Sequence, residues 1–312
     1  MLDNNILDQV RGIFANLNAN YTFEIACSST RDESSEMLAF LQDFASCSAH
    51  ISCRQVEATG NTLEFTLLKD NQPTGIKFRG IPNGHEFTSL LLAILNADGK
   101  GKNLPDEAIS RRIKSLNGKV KLQTYVSLTC TNCPDIVQAL NIMALQNPDI
   151  SHEMIDGALF QEEADTMKIQ AVPTVFANGK MLHVGRGTLG ELLEKLESLV
   201  GVKENAVNDV VCHEYDVLVV GGGPAGASAA IYSARKGLKV AVVAENVGGQ
   251  VKETVAIENL ISTPHTTGAQ LADLLRTHIN DYPIDIFENR RIEKAELKGK
   301  CKKITVVGGE EF

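Results

Sequence analysis

The sequence predicts an α/β protein made of three segments, and three observations support this fold class. Residues 1–100 and residues 101–200 repeat one order of elements, namely a strand, a helix, a strand, a hairpin and a closing helix. A pair of cysteines stands between a predicted strand and a predicted helix of the second segment. A run of glycines joins a strand to a helix in the third segment, residues 214–312, which follows a predicted linker at 201–213.

The elements of the first segment are predicted from alternating apolar positions for strands and from i, i+3, i+4 apolar spacing for helices. They are a helix (Asn5–Leu17), a strand (Tyr21–Ala26), a helix (Ser34–Phe44), three strands (Ile51–Val56, Leu63–Leu68, Gly75–Phe78) and a helix (Glu86–Leu95).

The second segment repeats this order around one additional short helix. Identity between the two segments is low, so the repeat is inferred from the order of elements alone. The predicted elements are a strand (Lys121–Ser127), a helix (Asp135–Gln146), a strand (Ser151–Ile155), a short helix (Phe160–Met167), two strands (Pro173–Ala177, Lys180–Val184) and a helix (Leu189–Leu199).

The third segment begins after a stretch without a clean apolar period, Gly201–Glu214, which we interpret as a linker. A buried strand (Tyr215–Val220) then runs directly into the glycines. A helix (Ala225–Lys236) with Gly237 as its cap and a second strand (Lys239–Ala244) follow. This order predicts one βαβ unit.

The composition is that of an ordinary globular chain. Of 312 residues, 43% are hydrophobic and 22% are charged, which excludes a disordered or collagen-like chain. The 30 basic and 39 acidic residues give a net charge of −9. The largest basic cluster, Lys298–Lys303, is predicted to be a solvated turn between strands. Because binding of nucleic acid needs a basic face, we expect no nucleic acid as a partner.

No feature of the sequence indicates a membrane or secreted protein. No apolar run approaches the roughly 18 residues of a membrane span. The N-terminus, MLDNNILDQV, opens with an acid and an amphipathic pattern, which differs from a signal peptide. Seven cysteines spread over a long chain do not resemble a secreted disulfide framework. We therefore expect a cytoplasmic protein.

Cys130 and Cys133 form the only C-x-x-C motif, placed between a strand and a helix. The unpaired N–H groups and dipole of a helix N-terminus favour an anion, which lowers the pKa of the first cysteine. The second cysteine is then placed to attack the mixed disulfide that the first one forms. Pro173 opens a strand about forty residues later. In the thioredoxin-like pattern this proline is cis, packs against the dithiol and leaves the preceding backbone free for an extended substrate.

Two other interpretations of the cysteine pair are weaker. A zinc site needs a second pair of ligands, whereas His152 and His183 are lone residues on strands. Two buried, unreactive cysteines do not explain the order of strand, C-x-x-C-P, helix, Val-Pro and strand. Cys27 ends the equivalent strand of the first segment without a partner, so we expect a structural or positioning role for it. The remaining cysteines are predicted to be inert: Cys47, Cys53, Cys212 and Cys301.

The third segment carries Gly221-x-Gly223-x-x-Gly226 between its strand and its helix. In that context the three glycines permit a tight turn, approach of the backbone to a pyrophosphate, and close packing of helix on strand. The acid at the end of the second strand, Glu245, is placed for a ribose hydroxyl. The form GGGPAG, followed by Gly249-Gln250 after the acid, favours a flavin over a nicotinamide.

With these motifs, the whole chain resembles the family of flavoprotein F subunits of bacterial alkyl hydroperoxide reductases. The resemblance implies tandem thioredoxin-like folds, only the second with a dithiol, followed by the start of a Rossmann-like FAD-binding domain. The residues that carry it are Gly84–Ser89, Ser127–Asp135, Val172–Pro173, Tyr215–Val217 and Ala230–Gly237.

The resemblance also implies an activity. The reductase body of this family takes a hydride from NADH (or NADPH) onto FAD and passes the electrons through its own C-x-x-C to the N-terminal dithiol. That dithiol reduces the disulfide of a partner peroxiredoxin, which is the second protein of the alkyl hydroperoxide reductase system. The family forms homodimers through its reductase body.

Individual residues take roles from this resemblance. Cys130 is expected to be the attacking thiol and Cys133 the resolving thiol. Glu86 is expected near the dithiol as an acid/base group; the alternative is an exposed acid that stabilises the dipole of its own helix. The expected FAD contacts are Gly221, Gly222, Gly223, Pro224, Ala225, Gly226, Glu245, Gly249, Gln250 and Asn259.

The sequence contains no second GxGxxG and no second C-x-x-C. We therefore expect this chain, as a fragment or a natural truncation, to lack the nicotinamide domain, the second dithiol and the part that completes the flavin site. The overall activity then belongs to the complete protein. Two alternatives stay open: a stand-alone thioredoxin- or glutaredoxin-type disulfide reductase, and a peptide-binding module that uses the groove at Val172–Pro173.

Overall fold

Contacts between residues in the computed structural model divide the chain into two compact units, residues 1–202 and residues 203–312. The structure describes residues 3–58, 60–101, 103–203 and 211–312. Most of the predicted linker, residues 204–210, therefore lies outside the described residues. Within the described ranges, no helix is long and apolar enough to cross a membrane.

The first unit contains seven helices and eight strands among its described residues. The helices are α1 (Asn4–Phe14), α2 (Glu33–Ala45), α3 (Phe87–Ala97), α4 (Glu107–Ser115), α5 (Cys133–Gln146), α6 (Gln161–Thr166) and α7 (Leu189–Val200). The strands are β1 (Tyr21–Cys27), β2 (Ile51–Gln55), β3 (Leu63–Lys69), β4 (Gln72–Arg79), β5 (Val120–Val126), β6 (Ile150–Asp156), β7 (Thr174–Ala177) and β8 (Lys180–Val184).

The eight strands form one mixed sheet in the order β2-β1-β3-β4-β6-β5-β7-β8. In each half, the first two strands pair in parallel and the last two form an antiparallel hairpin. The predicted repeat of elements is thus confirmed at the level of sheet topology. β4 pairs in parallel with β6, with Ile76 opposite His152, so the two halves share one continuous sheet.

Alternating burial places the core of the first half between its sheet and helices. Tyr21, Phe23 and Ile25 of β1 are buried, while the residues between them are partly exposed. The ring of Phe65 stacks on Phe78 at 5.1 Å between centroids and meets the edge of Phe23 at 5.4 Å. Such aromatic pairs stabilise the core beyond the burial of their area.

A cluster of aromatic and charged side chains joins the two halves next to the β4–β6 pairing. The guanidinium groups of Arg31 and Arg79 lie over the ring of Phe160, at 5.0 and 4.3 Å from its centroid. Arg79 also donates two hydrogen bonds to the Glu163 carboxylate, at 2.9 and 2.7 Å, and the Tyr125 hydroxyl donates to Glu163 at 2.6 Å. Because these residues come from both halves, the contacts fix one half against the other.

Helix α4 was not predicted. Asp106 caps it by accepting a hydrogen bond from the backbone N–H of Ile109 at 3.1 Å. Only Ile109 and Ile113 of this helix are buried, and three of its nine residues are basic, so its apolar period is too short to be recognised. In the repeat, α4 occupies the position before β5 that α1 occupies before β1.

The second unit begins with the predicted βαβ unit, which the structure confirms. A parallel sheet with strand order β11-β10-β9 carries α8 and α9, and β12 and β13 form a separate antiparallel pair around the exposed basic cluster. Of the elements that follow β10, only the two strands around the basic cluster were predicted, as the strands that flank a turn at Lys298–Lys303. The elements are β9 (Val217–Gly222), α8 (Pro224–Ala234), β10 (Val240–Val247), α9 (Gly268–Asn280), β11 (Ile284–Phe287), β12 (Ile292–Glu296) and β13 (Lys303–Val306).

Candidate functional site

The two cysteines of the C-x-x-C motif form a disulfide at the start of α5. Cys130 lies in the loop after β5, and Cys133 is the first residue of the helix, with 5.5 Å between the two Cα atoms. Cys133 is completely buried, whereas Cys130 is partly exposed. This difference favours Cys130 as the sulfur that meets another molecule.

The start of α5 provides an environment that favours a thiolate. The backbone N–H groups of the first helical turn have no partner within the helix and point toward the preceding loop. The side chain of the capping residue Asn132 does not satisfy any of them. Pro134, in the first turn, has no N–H to satisfy and the φ angle that a helix needs. The sequence therefore places the disulfide at the positive end of the helix dipole.

The peptide bond between Val172 and Pro173 is cis, as predicted. The sulfur of Cys130 lies 3.8 Å from the carbonyl oxygen of Val172, so this loop forms one wall beside the disulfide. The carbonyl of Pro173 accepts a hydrogen bond from the backbone N–H of Gly185 at 2.8 Å. A third loop, between β8 and α7, is thereby attached to the same wall.

Two polar residues at this site, Asn132 and Arg186, were not predicted. The Nε of Arg186 donates a hydrogen bond to Oδ1 of Asn132, the residue before Cys133, at 2.8 Å. Arg186 lies between two glycines, Gly185 and Gly187, shortly after a strand. That short Gly-Arg-Gly turn was the only local signal, and its position beside the dithiol depends on the tertiary fold.

Glu86 lies in a 3-10 turn before α3 that packs against the loop leading to the dithiol. The backbone N–H of His85 donates to the carbonyl of Leu128 at 3.0 Å. Gln138 of α5 reaches Ser89 of α3, with 3.4 Å between Nε2 and Oγ. Glu86 is thus held between α3 and the first turns of the dithiol helix. Its role as an acid/base group for the dithiol stays a prediction.

The carboxyl group of Glu86 is fully buried, so the alternative of an exposed acid at the start of a helix is wrong. Among the described residues, neither of its oxygens has a hydrogen-bond partner. Burial raises the pKa of Glu86 from 4.5 to about 7; the nearby Ser89 hydroxyl lowers it in part, and the negative charge of Asp135 raises it further. A carboxyl group that titrates near neutral pH is suited to exchange protons with a thiol.

The raised pKa predicts a pH-dependent stability. Since the folded-state pKa exceeds the unfolded-state value, the contribution of Glu86 is complete below pH 4.5 and lost as the pH rises through 7. The shift of about 2.5 pH units corresponds to about 3 kcal/mol. In Glu86→Gln this part of the pH dependence of the free energy of unfolding disappears, because glutamine does not ionise. The free energy of unfolding of wild type minus that of Glu86→Gln should therefore fall by about 3 kcal/mol between pH 4.5 and 8.

Urea unfolding at a series of pH values, followed by far-ultraviolet circular dichroism because the chain has no tryptophan, measures this difference. Glu57→Gln, at an exposed carboxylate of the same unit, is the matched control and should run parallel to wild type. A difference between wild type and Glu86→Gln that stays constant from pH 4.5 to 8 would contradict the prediction.

The lone histidines have structural partners. His152 is buried between Thr124 and Asn141, with its two ring nitrogens 2.8 and 2.7 Å from their side-chain oxygens. Burial lowers the pKa of His152 to about 3, so its ring is neutral. Within the described ranges, no group of three or more His, Cys, Asp or Glu side chains is arranged to hold a metal ion.

Three lone cysteines of the first unit are in environments that disfavour a thiolate. Burial is the main cause that raises the pKa of Cys27, Cys47 and Cys53, and it raises the pKa of Cys53 to about 11. Cys27 contacts the sulfur of Met37 at 3.4 Å, which supports a structural role. Cys212 and Cys301 of the second unit are exposed.

In the second unit, the glycine-rich turn joins β9 to α8 as predicted. Gly222 ends the strand, Gly223 is the capping residue of the helix, and Pro224 begins it. Gly226 lies so close to the turn that a Cβ there would be 1.9 Å from the carbonyl oxygen of Gly221. Gly221 itself has a φ of 107°, a conformation that favours glycine.

A second glycine-bearing loop lies against this turn. The backbone N–H of Gly248 donates to the carbonyl of Gly222 at 2.9 Å, and a Cβ on Gly249 would be 3.5 Å from the Cα of Gly223. A Cβ on Gly223 itself would meet nothing closer than 3.9 Å. The space in front of the α8 N-terminus is therefore open, and two loops with glycine backbone border it.

The other residues that were predicted to contact FAD are Glu245, Gln250 and Asn259. Glu245 lies in β10 with an exposed carboxylate 3.7 Å from Nε of Arg291. Gln250 belongs to the short 3-10 helix Gly249–Glu253 that follows β10. Asn259 is exposed in a loop between Ile257 and Leu260, and its contact with a cofactor stays a prediction. Backbone groups, a helix N-terminus and an exposed carboxylate are the partners that a dinucleotide pyrophosphate and ribose require.

Two family models match the chain. A thioredoxin domain matches residues 119–198, which contain the disulfide and the cis proline. An FAD dependent oxidoreductase matches residues 216–295, which contain the glycine-rich turn. Both matches agree with the fold and the motifs of the corresponding unit, and the second supports FAD as the cofactor.

Similar proteins are found among bacteria. The chain is 46% identical over 267 residues to a Bacillus subtilis protein named NADH dehydrogenase, in a match that covers 86% of this chain and 51% of that protein. It is 42% identical over 295 residues to the alkyl hydroperoxide reductase F subunit of Pseudomonas aeruginosa, in a match that covers 94% of this chain and 56% of that protein. The chain thus spans about half the length of the curated relatives that it matches.

Among solved structures, the first unit is similar to the N-terminal N/C domain of the alkylhydroperoxide reductase AhpF from Enterococcus faecalis. The TM-score is 0.58 at 32% sequence identity, and the match covers 63% of this chain and 100% of that one. A protein disulfide oxidoreductase from Aeropyrum pernix, at 19% identity and a TM-score of 0.58, shares the fold; this match covers 64% of this chain and 95% of that one.

Proposed function

Because this chain belongs to the family of alkyl hydroperoxide reductase F subunits, we propose that it is the peroxiredoxin-reducing part of an NAD(P)H-dependent flavoprotein. Electrons pass from NAD(P)H through FAD and dithiols to a partner peroxiredoxin, the second member of a peroxide-detoxifying pair. The observation that carries this proposal is the Cys130–Cys133 disulfide, which lies at a helix N-terminus beside a cis proline.

The proposed reaction at the first unit is a pair of thiol–disulfide exchanges. A thiolate at Cys130 attacks one sulfur of the partner disulfide, a mixed disulfide forms, and one thiolate leaves on the partner. Cys133 loses its proton and attacks the sulfur of Cys130, which releases the second partner thiolate. The partner gains two electrons and two protons, and the dithiol of this chain becomes the disulfide seen in the structure.

Glu86 would accept and donate protons during this thiol–disulfide exchange. Its buried carboxyl group, with a pKa of about 7, can take a proton from a thiol and return it at the pH of the cytoplasm. The location of Glu86 between α3 and α5 supports this role.

In the second unit, residues of both glycine-bearing loops would hold FAD. The backbone at Gly221–Gly226 and the α8 N-terminus would take the pyrophosphate, and Glu245 would take a ribose hydroxyl. The chemistry that such a cofactor supplies is acceptance of a hydride and release of its electron pair to a dithiol. The name of the Bacillus subtilis relative supports NADH over NADPH as the hydride donor.

Three further proposals follow from family membership. We divide the chain into two thioredoxin-like folds at residues 1–100 and 101–200, a linker at 201–213, and the start of an FAD-binding domain at 214–312. We place the protein in the cytoplasm, since a dithiol that is reduced in every cycle needs a reducing compartment. The complete protein is proposed to be a homodimer.

The test is to trap the mixed disulfide. Reduced Cys133→Ser should attack a peroxiredoxin disulfide through Cys130 and then stop, because no second thiol can resolve the bond. A covalent complex with the summed mass of the two chains should appear on non-reducing electrophoresis and vanish with dithiothreitol. Cys130→Ser, in which the resolving thiol is buried, is the matched control and should give no complex. Equal trapping by both variants, or by neither, would contradict the proposed roles.

A stand-alone disulfide reductase is the second candidate, because the cysteine pair, Pro173 and Glu86 all lie in the first unit. This function predicts that reduced glutathione with its own reductase keeps the chain turning over. If reduced glutathione does not sustain turnover and the peroxiredoxin is trapped, the proposed function is favoured over a stand-alone disulfide reductase.

A further inference from the structure

The loop Gly185–Gly187, between β8 and α7, is attached to both sides of the groove at the disulfide. The backbone N–H of its first residue donates to the carbonyl of Pro173 at 2.8 Å. The Nε of its second residue, Arg186, donates to Oδ1 of Asn132 at 2.8 Å, between the two cysteines of the motif. The loop therefore connects the segment of the cis proline to the C-x-x-C motif, and its position affects how these two segments are placed relative to each other.

A buried histidine of β8, His183, holds the backbone of this loop. Its Nε2 lies 3.0 Å from the carbonyl oxygen of Gly185 and 2.7 Å from that of Arg186. Because carbonyl oxygens only accept hydrogen bonds, Nε2 carries the proton and donates to them. Nδ1 then accepts from the Lys195 ammonium at 2.7 Å, and the Glu191 carboxylate lies 2.9 Å from the same ammonium. Helix α7 therefore fixes the tautomer in which His183 supports the loop.

The chain on both sides of the loop is adapted to this histidine. Of the five described residues of β8, His183 alone is buried. The register of β8 against β7 shifts at Leu182, immediately before His183, and a bulge of this kind re-aims the side chains next to it. At the other end of the loop, a Cβ on Gly187 would lie 2.7 Å from Nε2 of His183 and 3.3 Å from Cδ1 of Ile136. A larger residue at this position would therefore displace the imidazole from the loop.

Resting on the proposed function, we propose that His183 is a positioning residue that gives the dithiol a preference for disulfides in extended protein segments. Through the loop Gly185–Gly187, it keeps the segment of the cis proline beside Cys130, whose sulfur lies 3.8 Å from the carbonyl oxygen of Val172. An extended segment that pairs with the backbone before the cis proline depends on this placement. A small disulfide meets only the partly exposed sulfur of Cys130 and does not depend on it.

The test uses the whole chain, reduced and freed of reductant, in single turnover. The probes are an uncharged octapeptide with one central cysteine and a single acetylated, amidated cysteine, each disulfide-bonded to a thiopyridine. Cys130 displaces thiopyridone and forms a mixed disulfide, and Cys133 then releases the probe as a thiol and closes the disulfide of the chain. The absorbance of the thiopyridone gives the rate. The contribution of the exposed cysteines, Cys212 and Cys301, is measured with Cys130→Ser and subtracted.

The wild type is expected to react about tenfold faster with the octapeptide than with the single cysteine, the scale of one or two backbone hydrogen bonds to the bound segment. His183→Leu has a similar size but no donor, so it should lower this ratio to about one and leave the rate with the single cysteine at the wild-type level. His183→Gln places an amide N–H near the position of Nε2 and should restore most of the ratio.

Gly187→Ala tests the same contact with the histidine in place. Its Cβ would push Nε2 of His183 away from the two carbonyl oxygens, so the ratio should fall as in His183→Leu. The matched controls should keep the wild-type ratio: Gly12→Ala, in α1, where a Cβ meets no atom within 4 Å, and His50→Leu, at a histidine of the other half. If His183→Leu and Gly187→Ala keep the tenfold ratio, or slow both probes alike, His183 is only a structural support and the inference is overturned.

The outcome is separable from that of the proposed function. A reduced wild type that reacts with both probes at equal rates retains its dithiol chemistry and refutes only the role of His183. A reduced wild type that reacts with neither probe faster than Cys130→Ser and traps no peroxiredoxin contradicts the proposed function, and this inference with it.

Discussion

Replacing Cys130 by serine is expected to lower disulfide reduction by this chain by at least about 1000-fold, because a serine hydroxyl is not ionised at neutral pH and cannot form the mixed disulfide. The buried Cys133 cannot take over the attack, since its side chain has no exposed surface. The measurement is steady-state reduction of a protein disulfide with dithiothreitol as the source of electrons.

Two variants control this prediction. Cys133→Ser should lose turnover but keep the first, stoichiometric exchange, which separates attack from resolution. Cys53→Ser, at a cysteine whose pKa is raised by burial, should keep turnover. Residual turnover in Cys130→Ser above about 0.1 per cent of the wild-type value, which is the 1000-fold loss expected here, would show that another cysteine performs the attack.

Replacing Gly226 by alanine should have the largest effect on the second unit. The new Cβ would lie 1.9 Å from the carbonyl oxygen of Gly221 and 3.3 Å from the side chain of Val219. Since the first contact is with backbone, the turn between β9 and α8 must move. We expect a loss of about 2–3 kcal/mol in the free energy of unfolding, the upper range for overpacking, and loss of FAD binding.

Gly223→Ala separates folding from cofactor binding. A Cβ there meets no atom closer than 3.9 Å, so the fold should tolerate it. The same methyl group occupies the space in front of the α8 N-terminus and prevents the close approach of the backbone to the pyrophosphate. The affinity for FAD should therefore fall at least about tenfold. Quenching of flavin fluorescence measures the affinity, and urea unfolding measures the stability. Tight FAD binding by Gly226→Ala, or unchanged affinity in Gly223→Ala, would contradict this account of the turn.

The parts of the fold that could be predicted are those determined by local sequence patterns. The strands and helices around the cysteines show local periodicity, and the glycine spacing is a property of one turn. The order of elements was sufficient to predict the repeat that the sheet confirms. Helix α9 was missed even though Thr267 and Gln270 form a capping box, a signal that is visible in the sequence.

The parts of the site that could not be predicted depend on contacts between distant residues. The burial of Glu86 and its pKa of about 7 follow from the packing of α3 against α5, which no local pattern encodes. Arg186 reaches Asn132 across 54 positions of the chain. Its neighbours in sequence are glycines, and this short turn by itself does not indicate a role at the dithiol.

Because β4 pairs directly with β6, the half that carries the dithiol is not a transplantable module. If this half were produced alone from residue 101, β6 would become an exposed edge strand that could pair with other chains. This half would also lack Glu86 and Arg79, the ion-pair partner of Glu163. A protein engineer who wished to move this redox centre onto another scaffold would have to move both halves together. The half without a dithiol thus supplies the strand that covers β6 and the buried carboxyl group of Glu86, which we propose acts at the dithiol.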